Sequence, residues 1–237
     1  MQTPIISRHR GIAVVRDDLF PGGTKARYVG QAFESADVVV YATPCEGGAQ
    51  TALAHVARPS EGKRAVLVCA KRKVRHPRTV AAERMGAEII EVDGIARLHV
   101  VQARAREIAT ANGWYLAPFG LETPNAVDAI RDAALSTGVT PDEVWSVASS
   151  GVLARGLSAA WPNARRHVVR IGRKFNPVDV DFATYHEYGD KISDTLSCDD
   201  FPSDPHYDAK AWSVCVEKCS KTGLVLFWNV AGPAINE

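Results

Sequence analysis

Short apolar runs rich in β-branched residues recur along the chain. Between them lie segments whose apolar positions repeat every three or four residues. The first pattern predicts strands at Ile12–Val15, Val38–Tyr41, Ala65–Cys69, Glu88–Val92, Trp114–Ala117, Val144–Ala148, His167–Ile171 and Leu224–Trp228. The second predicts helices at Lys25–Glu34, Gly48–Ala57, Arg78–Met85, Ile95–Asn112, Asn125–Thr137, Val152–Ala160 and Pro205–Lys218. Strands read as unbroken apolar runs are buried on both faces. Their alternation with helices argues for an α/β chain with mostly parallel, twisted sheet flanked by helices. Asp179–Ser203 has weak periodicity and is expected to be a lid, a linker or an irregular crossing. No internal repeat or low-complexity tract interrupts the pattern.

The composition narrows the function classes. A chain of 237 residues is expected to form a single compact unit or two lobes, with a smaller lobe at about 36–120 inserted in a larger one formed by 1–35 and 121–237. A net charge of +1 exerts no global pull toward nucleic acid or membrane, so either role would need a local patch. No apolar run reaches the length of a membrane span, and residues 1–10 lack the apolar core of a signal peptide. The five cysteines are odd in number and show no paired zinc spacing. Cys215 and Cys219 fall one helical turn apart, which points to shared packing. A reduced, cytoplasmic protein is expected.

In an open parallel sheet, ligands meet the loops that follow the strands. The first such loop, Asp17-Asp18-Leu19-Phe20-Pro21-Gly22-Gly23-Thr24-Lys25-Ala26-Arg27-Tyr28, turns on a glycine pair and delivers Lys25 to the start of a helix. An amine there would feel the helix dipole and lose solvent, and both favour the neutral, nucleophilic form. The second loop, Ala42-Thr43-Pro44-Cys45-Glu46-Gly47-Gly48, brings a thiol and a carboxylate to a helix start. In the third, Lys71, Arg72, Lys73, Arg75 and Arg78 place five cations within eight residues. Such a run is a solvated surface loop or a phosphate-recognising one. After Val144–Ala148, the small residues Ser149, Ser150 and Gly151 open a helix at Val152. Successive N–H groups aimed at one point would bind a phosphate there. Near the end, Asp204-Pro205-His206-Tyr207-Asp208-Ala209-Lys210 opens a further helix, and Gly223–Gly232 carries the last strand.

These segments together resemble the fold type II, tryptophan-synthase-β-like, pyridoxal-phosphate enzymes. Within that group they look most like the branch holding D-cysteine desulfhydrase and aminocyclopropane-carboxylate deaminase. The glycine-pair loop is similar to the family's Arg-Asp-Asp-Leu…Gly-Gly-Asn-Lys-x-Arg, which implies that Lys25 is the Schiff-base lysine. Cys45 and Glu46 stand where the family has a substrate-facing serine and an asparagine on the cofactor's phenolic oxygen. By that match Glu46 takes the cofactor contact or serves as a general acid or base. Ala148, Ser149, Ser150, Gly151, Val152 and Leu153 align with the Gly-Ser-Gly-Gly-Thr-x of the family's phosphate cradle. Gly86-Ala87-Glu88-Ile89-Ile90 resembles a structural marker of the same enzymes. Leu116–Asn125 is loosely similar to a loop that approaches their active site. Asp208 falls where the deaminase carries the glutamate that faces the pyridine nitrogen, and Tyr207 would lie near the substrate.

The resemblance covers Ile12–Gly232 and implies pyridoxal 5'-phosphate as cofactor and a homodimer as the assembly. It implies a lyase that cleaves a bond at the amino carbon of an amino-acid-like substrate, by elimination, deamination or decarboxylation. Lys25, Cys45, Glu46 and Tyr207 are the catalytic candidates. A narrower form is a compact, phage-type enzyme that decarboxylates an amino acid attached to thymine in DNA, with Lys71, Arg72, Lys73, Arg75 and Arg78 on the nucleic-acid backbone. The alternative class is a non-catalytic α/β ligand-binding protein. A Rossmann-type reductase is disfavoured, because no Gly-x-Gly-x-x-Gly follows the first strand.

Overall fold

The computed structural model describes residues 2–94, 97–123, 125–171, 180, 183–189 and 194–234. The chain opens with β1 (Ile6–His9) and β2 (Ile12–Arg16), then two single helical turns, α1 (Ala26–Val29) and α2 (Gln31–Glu34). Strictly alternating elements follow: β3 (Val38–Ala42), α3 (Ala49–Ala57), β4 (Arg64–Ala70), α4 (Pro77–Arg84), β5 (Glu88–Val92), α5 (Leu98–Asn112) and β6 (Tyr115–Leu116). Next come α6 (Ala126–Ser136), β7 (Glu143–Ala148), α7 (Val152–Ala160), β8 (Arg165–Arg170), β9 (Ala183–Glu187), α8 (Asp208–Lys218) and β10 (Val225–Asn229). Each expected strand and helix is present within a few residues of its expected bounds; Ile95 and Ala96, expected to open α5, lie outside the described residues.

The described chain divides into two compact units, Met1–Thr24 with Pro124–Pro233, and Lys25–Thr123 with Ala234–Glu237. The division falls after Thr24 rather than near residue 35, because α1 and α2 pack on the elements that follow them. Val29, Ala32 and Phe33 are buried in the second unit.

The first unit is built on a six-stranded sheet in the order β1-β2-β10-β7-β8-β9. Among the described residues only the β1–β2 hairpin of this sheet is antiparallel; β2, β10, β7, β8 and β9 run parallel. Both β7 and β10 are buried at every position, as their unbroken apolar composition requires. On one face Ile12, Val14, Trp145, Val147, Phe227 and Trp212 form a core with Cys215 and Cys219, so these two thiols serve packing. β1 and β9 were not foreseen. β1, Ile-Ser-Arg-His, is an edge strand with little apolar signal, and β9 supplies the opposite edge inside Asp179–Ser203. That stretch is therefore partly sheet; residues 179, 181–182 and 190–193 of it lie outside the described residues.

The second unit carries a four-stranded, wholly parallel sheet in the order β5-β4-β3-β6. Val38, Val40, Ala42, Val66 and Val68 pack against Val101, Ala105, Ile108 and Ala109 of α5. His76 and Pro77 start α4 by the usual device: the ring Nδ1 accepts the Arg78 amide at 3.2 Å, and proline fills the first position.

Candidate active site

Parallel strands send their carboxyl ends to one edge of a sheet. In the first unit, that edge receives the loops after β2, β10 and β7. At β7 the chain leaves through Ser149 and Ser150, both half-buried, and turns at Gly151, whose φ of +89° is a left-handed geometry open to glycine. The next residue begins α7, a nine-residue helix whose first-turn amides have no intrahelical acceptor. The Val152 side chain is 2% exposed and packs inward, so at this position only the backbone faces the turn.

The neighbouring strand β10 ends at Asn229, and the peptide of Val230 then makes two bonds in opposite directions. Its N–H donates to Asp208 Oδ1 at 3.0 Å, and its carbonyl accepts the Thr24 amide at 3.0 Å. Asp208 itself is 1% exposed, held at the start of α8. The turn before it is fixed by Asp204, whose Oδ1 accepts the amides of His206 at 2.8 Å and Tyr207 at 3.1 Å. Tyr207 is half-buried against the apolar cluster of β7 and β10. Ala148–Leu153, Tyr207 and Asp208 are thus brought to the same edge of one sheet.

The approach to Lys25 belongs to this edge as well. The Asp17 carboxylate, fully buried, accepts the Thr24 hydroxyl at 2.7 Å and the Trp228 indole N–H at 3.1 Å. A neighbouring set ties Asn229 Nδ2 to Asp18 Oδ1 at 2.7 Å, with Arg16 paired to the same carboxylate at 2.7 Å. Lys25, half-buried, is where the chain passes from the first unit to the second. Its carbonyl accepts the amides of Tyr28 and Val29. The continuous helix expected from here is broken at Gly30 into two single turns, so the full dipole expected at this amine is reduced to that of one turn.

In the second unit, the loops after β3 and β4 bring Cys45, Glu46 and Arg72 together. Gln50, fully buried, donates to the Cys45 carbonyl at 2.7 Å and accepts the Thr79 hydroxyl at 2.8 Å, which fixes the loop. The Cys45 thiol, whose S–H donates to the Ala70 carbonyl at 3.5 Å, lies beside that of Cys69 at the end of β4, and a hydrogen bond from Cys69 lowers its pKa. The Arg72 guanidinium adds to the effect, while burial opposes it. Arg72 Nη2 also faces Glu46 Oε1 at 3.6 Å. Glu46 is therefore engaged by a cation of its own unit.

The basic run is largely matched by acids. Lys71 pairs with Asp93 at 2.7 Å, Arg75 bridges Glu83 at 2.8 Å and Glu91 at 3.1 Å, and Arg78 is buried. Lys73 remains as an exposed cation of that run. Among the described residues there is no group of three or more side chains suited to a metal ion, and no helix is long and apolar enough to cross a membrane.

No family model and no curated protein matches the chain. Solved structures do. An ACC deaminase homologue matches with a TM-score of 0.83 at 19% identity, over 98% of this chain and 90% of that one. The O-acetylserine-dependent cystathionine β-synthase of Helicobacter pylori matches at 0.72 and 16%, over 97% and 92%. Maize serine racemase matches at 0.72 and 14%, over 98% and 88%. The fold is that of the fold type II pyridoxal-phosphate enzymes. The fold type II likeness spans both units, and at these identities it speaks for architecture alone.

Several residues of the edge escaped the sequence. Asp17, Thr24 and Trp228 meet only through the parallel pairing of β2 with β10, 211 positions apart for Asp17 and Trp228. Cys69 and Arg72 join Cys45 only because β3 and β4 are neighbours. A carboxylate at the end of an apolar strand was the one available signal for Asp17.

Proposed function

We propose that the chain is a pyridoxal-phosphate-dependent enzyme that breaks a bond to the amino carbon of an amino-acid-like substrate. The observation that carries this is the carboxyl edge of the first sheet. There a small-residue turn before a helix, a buried carboxylate and the approach to Lys25 converge on adjacent strand ends. These residues fit the cofactor's three chemical demands. The amides of Ser149–Leu153 and the N-terminus of α7 suit a phosphate. Asp208 suits a protonated ring nitrogen, and Lys25 suits an aldehyde.

When bound, pyridoxal phosphate supplies an electron-withdrawing ring that stabilises negative charge at the substrate's amino carbon. Asp208 would hold the proton at the ring nitrogen, anchored by the Val230 amide so that its second oxygen keeps a fixed direction. The Lys25 Nζ would carry the cofactor at rest and accept or return the proton at the amino carbon during turnover. Cys45, whose pKa is lowered by Cys69 and Arg72, is a candidate for a second base or a substrate contact, with Tyr207 the alternative in the first unit. Glu46 would act by orienting Arg72.

The solved structures of this fold include a deaminase homologue, synthases and a racemase, and the resemblance of the Lys25 and Asp208 segments to the deaminase branch is what favours a deaminase-like lyase. A spectral titration tests this. The purified protein with pyridoxal phosphate should develop a band near the visible edge that Lys25→Ala abolishes. A panel of free amino acids and amino-acid-modified nucleosides should then perturb it. Absence of the band in the wild type would leave a ligand-binding protein without the cofactor. Decarboxylation on DNA would require the 71–78 run to meet phosphate, and salt-dependent retention on DNA that Lys73→Ala weakens is its test. The homodimer implied by the resemblance is tested by sedimentation.

A further inference from the structure

Asp17 is a carboxylate with no exposed surface at the end of a strand whose preceding residues, Ile12–Val15, are buried and apolar. An apolar residue would fill the space at lower desolvation cost. What the carboxylate does instead is orient. Its Oδ2 takes the Thr24 hydroxyl at 2.7 Å and the Trp228 indole N–H at 3.1 Å, and the indole also reaches Thr24 Oγ1 at 2.9 Å. Thr24 is held a second time through its backbone, whose N–H donates a hydrogen bond to the Val230 carbonyl. Gly23 before it lies so close to Val230 that no side chain fits. Both the side chain and the backbone of the residue preceding Lys25 are therefore fixed to β10.

We infer that Asp17 is a positioning residue that acts through Thr24 and Trp228 to fix the backbone from which Lys25 departs. It thereby sets how readily the Lys25 amine bonds to an aldehyde. The inference rests on the proposed role of Lys25. Capture of an aldehyde is sensitive to placement: a displacement of about 1 Å at a reacting group costs on the order of 10²-fold in rate. A threonine side chain released from Asp17 and Trp228 leaves Thr24 tied to Val230 through its backbone amide, so the residue before Lys25 loses one of its two kinds of tie.

The test uses pyridoxal 5'-phosphate as the probe and borohydride as the trap. The Lys25 nitrogen attacks the aldehyde carbon and one water leaves. Borohydride then delivers hydride to that carbon while solvent supplies a proton to nitrogen, which leaves a stable secondary amine. Peptide mass spectrometry reads the fraction of Lys25 labelled at each aldehyde concentration. Labelling of the exposed Lys221 in the same digest is the internal reference. Thr24→Val, near-isosteric but without the hydroxyl, and Asp17→Asn should each raise the concentration for half-labelling of Lys25 about tenfold relative to Lys221. Thr24→Ser should restore it. The double variant should be no worse than the poorer single one, because both remove one network.

If Asp17→Asn does not fold, the Thr24 pair alone decides. A wild type labelled at Lys25, with Thr24→Val labelled equally well, would overturn the positioning role and leave the cofactor assignment standing. A wild type never labelled at Lys25 would overturn both.

Discussion

A β-carbon on Gly23 would stand 2.5 Å from the carbonyl oxygen of Val230, closer than real contacts allow. The same carbonyl accepts the next amide in the chain, from Thr24. The approach to Lys25 thus lies against backbone, which has no rotamer to move aside. Gly23→Ala would also have to hold a φ of +68°. The expected cost is about 2–4 kcal/mol, the sum of a left-handed alanine and a shifted strand end. Urea denaturation should show a lower midpoint with an unchanged slope. A change within about 0.5 kcal/mol would mean that this loop relaxes freely.

Asp208 separates structure from chemistry in the other direction. Asp208→Ala leaves the half-buried Val230 amide without its acceptor, at about 1–2 kcal/mol. Asp208→Asn keeps an acceptor oxygen and should cost less than about 1 kcal/mol. Yet the amide cannot hold a proton on a ring nitrogen, and turnover should fall on the order of 10²-fold or more. Melting temperature and turnover on the best substrate of the panel, measured together, check the split. Equal turnover in the asparagine variant would remove Asp208 from the chemistry.

The sheets were legible because their strands are unbroken apolar runs, and Glu88–Val92 and Val152–Ala160 fell where the pattern put them. The edges were not. Ile6–His9 alternates weakly and pairs on one side only, so burial wrote little of it into the sequence. Ser149, Gly151 and Lys25 were singled out by local motif, which survives in a linear string. The Asp17, Thr24 and Trp228 set was not, because strand neighbourhood decides which distant loops share an edge. The acid partners of the charge run at 71–78 were hidden for a related reason: Glu91 and Asp93 face it only once β4 and β5 pair, and Glu83 reaches it from α4.

Cys45 should titrate below the ordinary thiol range. The hydrogen bond from Cys69 and the Arg72 guanidinium stabilise the charged sulfur, so its alkylation by iodoacetamide, slowed by burial, should rise through a midpoint below about 8.5. Cys69→Ala removes the donor and should return that midpoint toward about 8.5, the ordinary thiol value. Arg72→Ala should move it the same way by a smaller step. Alkylation of the Cys45 peptide followed by mass spectrometry across pH gives the midpoints. A midpoint unmoved by Cys69→Ala would mean that the thiol pair is packed but not hydrogen-bonded.

Glu143 predicts the acid limb of stability. It is 2% exposed, and its oxygens accept the Trp145 indole N–H at 2.6 Å, the Ser220 amide at 3.1 Å and Arg165 Nη2 at 3.0 Å. Burial works against the charge, but these donors outweigh it, and the carboxyl titrates below its ordinary range. A folded pKa below the unfolded one, about 4.3 for glutamate, gives a stabilisation that is complete above the unfolded value. It is lost as pH falls through the folded one. Wild-type stability should therefore decline below about pH 4.3, with Glu143 contributing to the slope. Glu143→Gln should be less stable at pH 7 by about 2–3 kcal/mol, since one amide cannot accept from all three donors. Its decline in acid should be shallower, so the two curves converge toward low pH. Urea denaturation at a series of pH values from 7 to 3 measures both. Parallel curves would show that the carboxylate is structurally neutral to protonation.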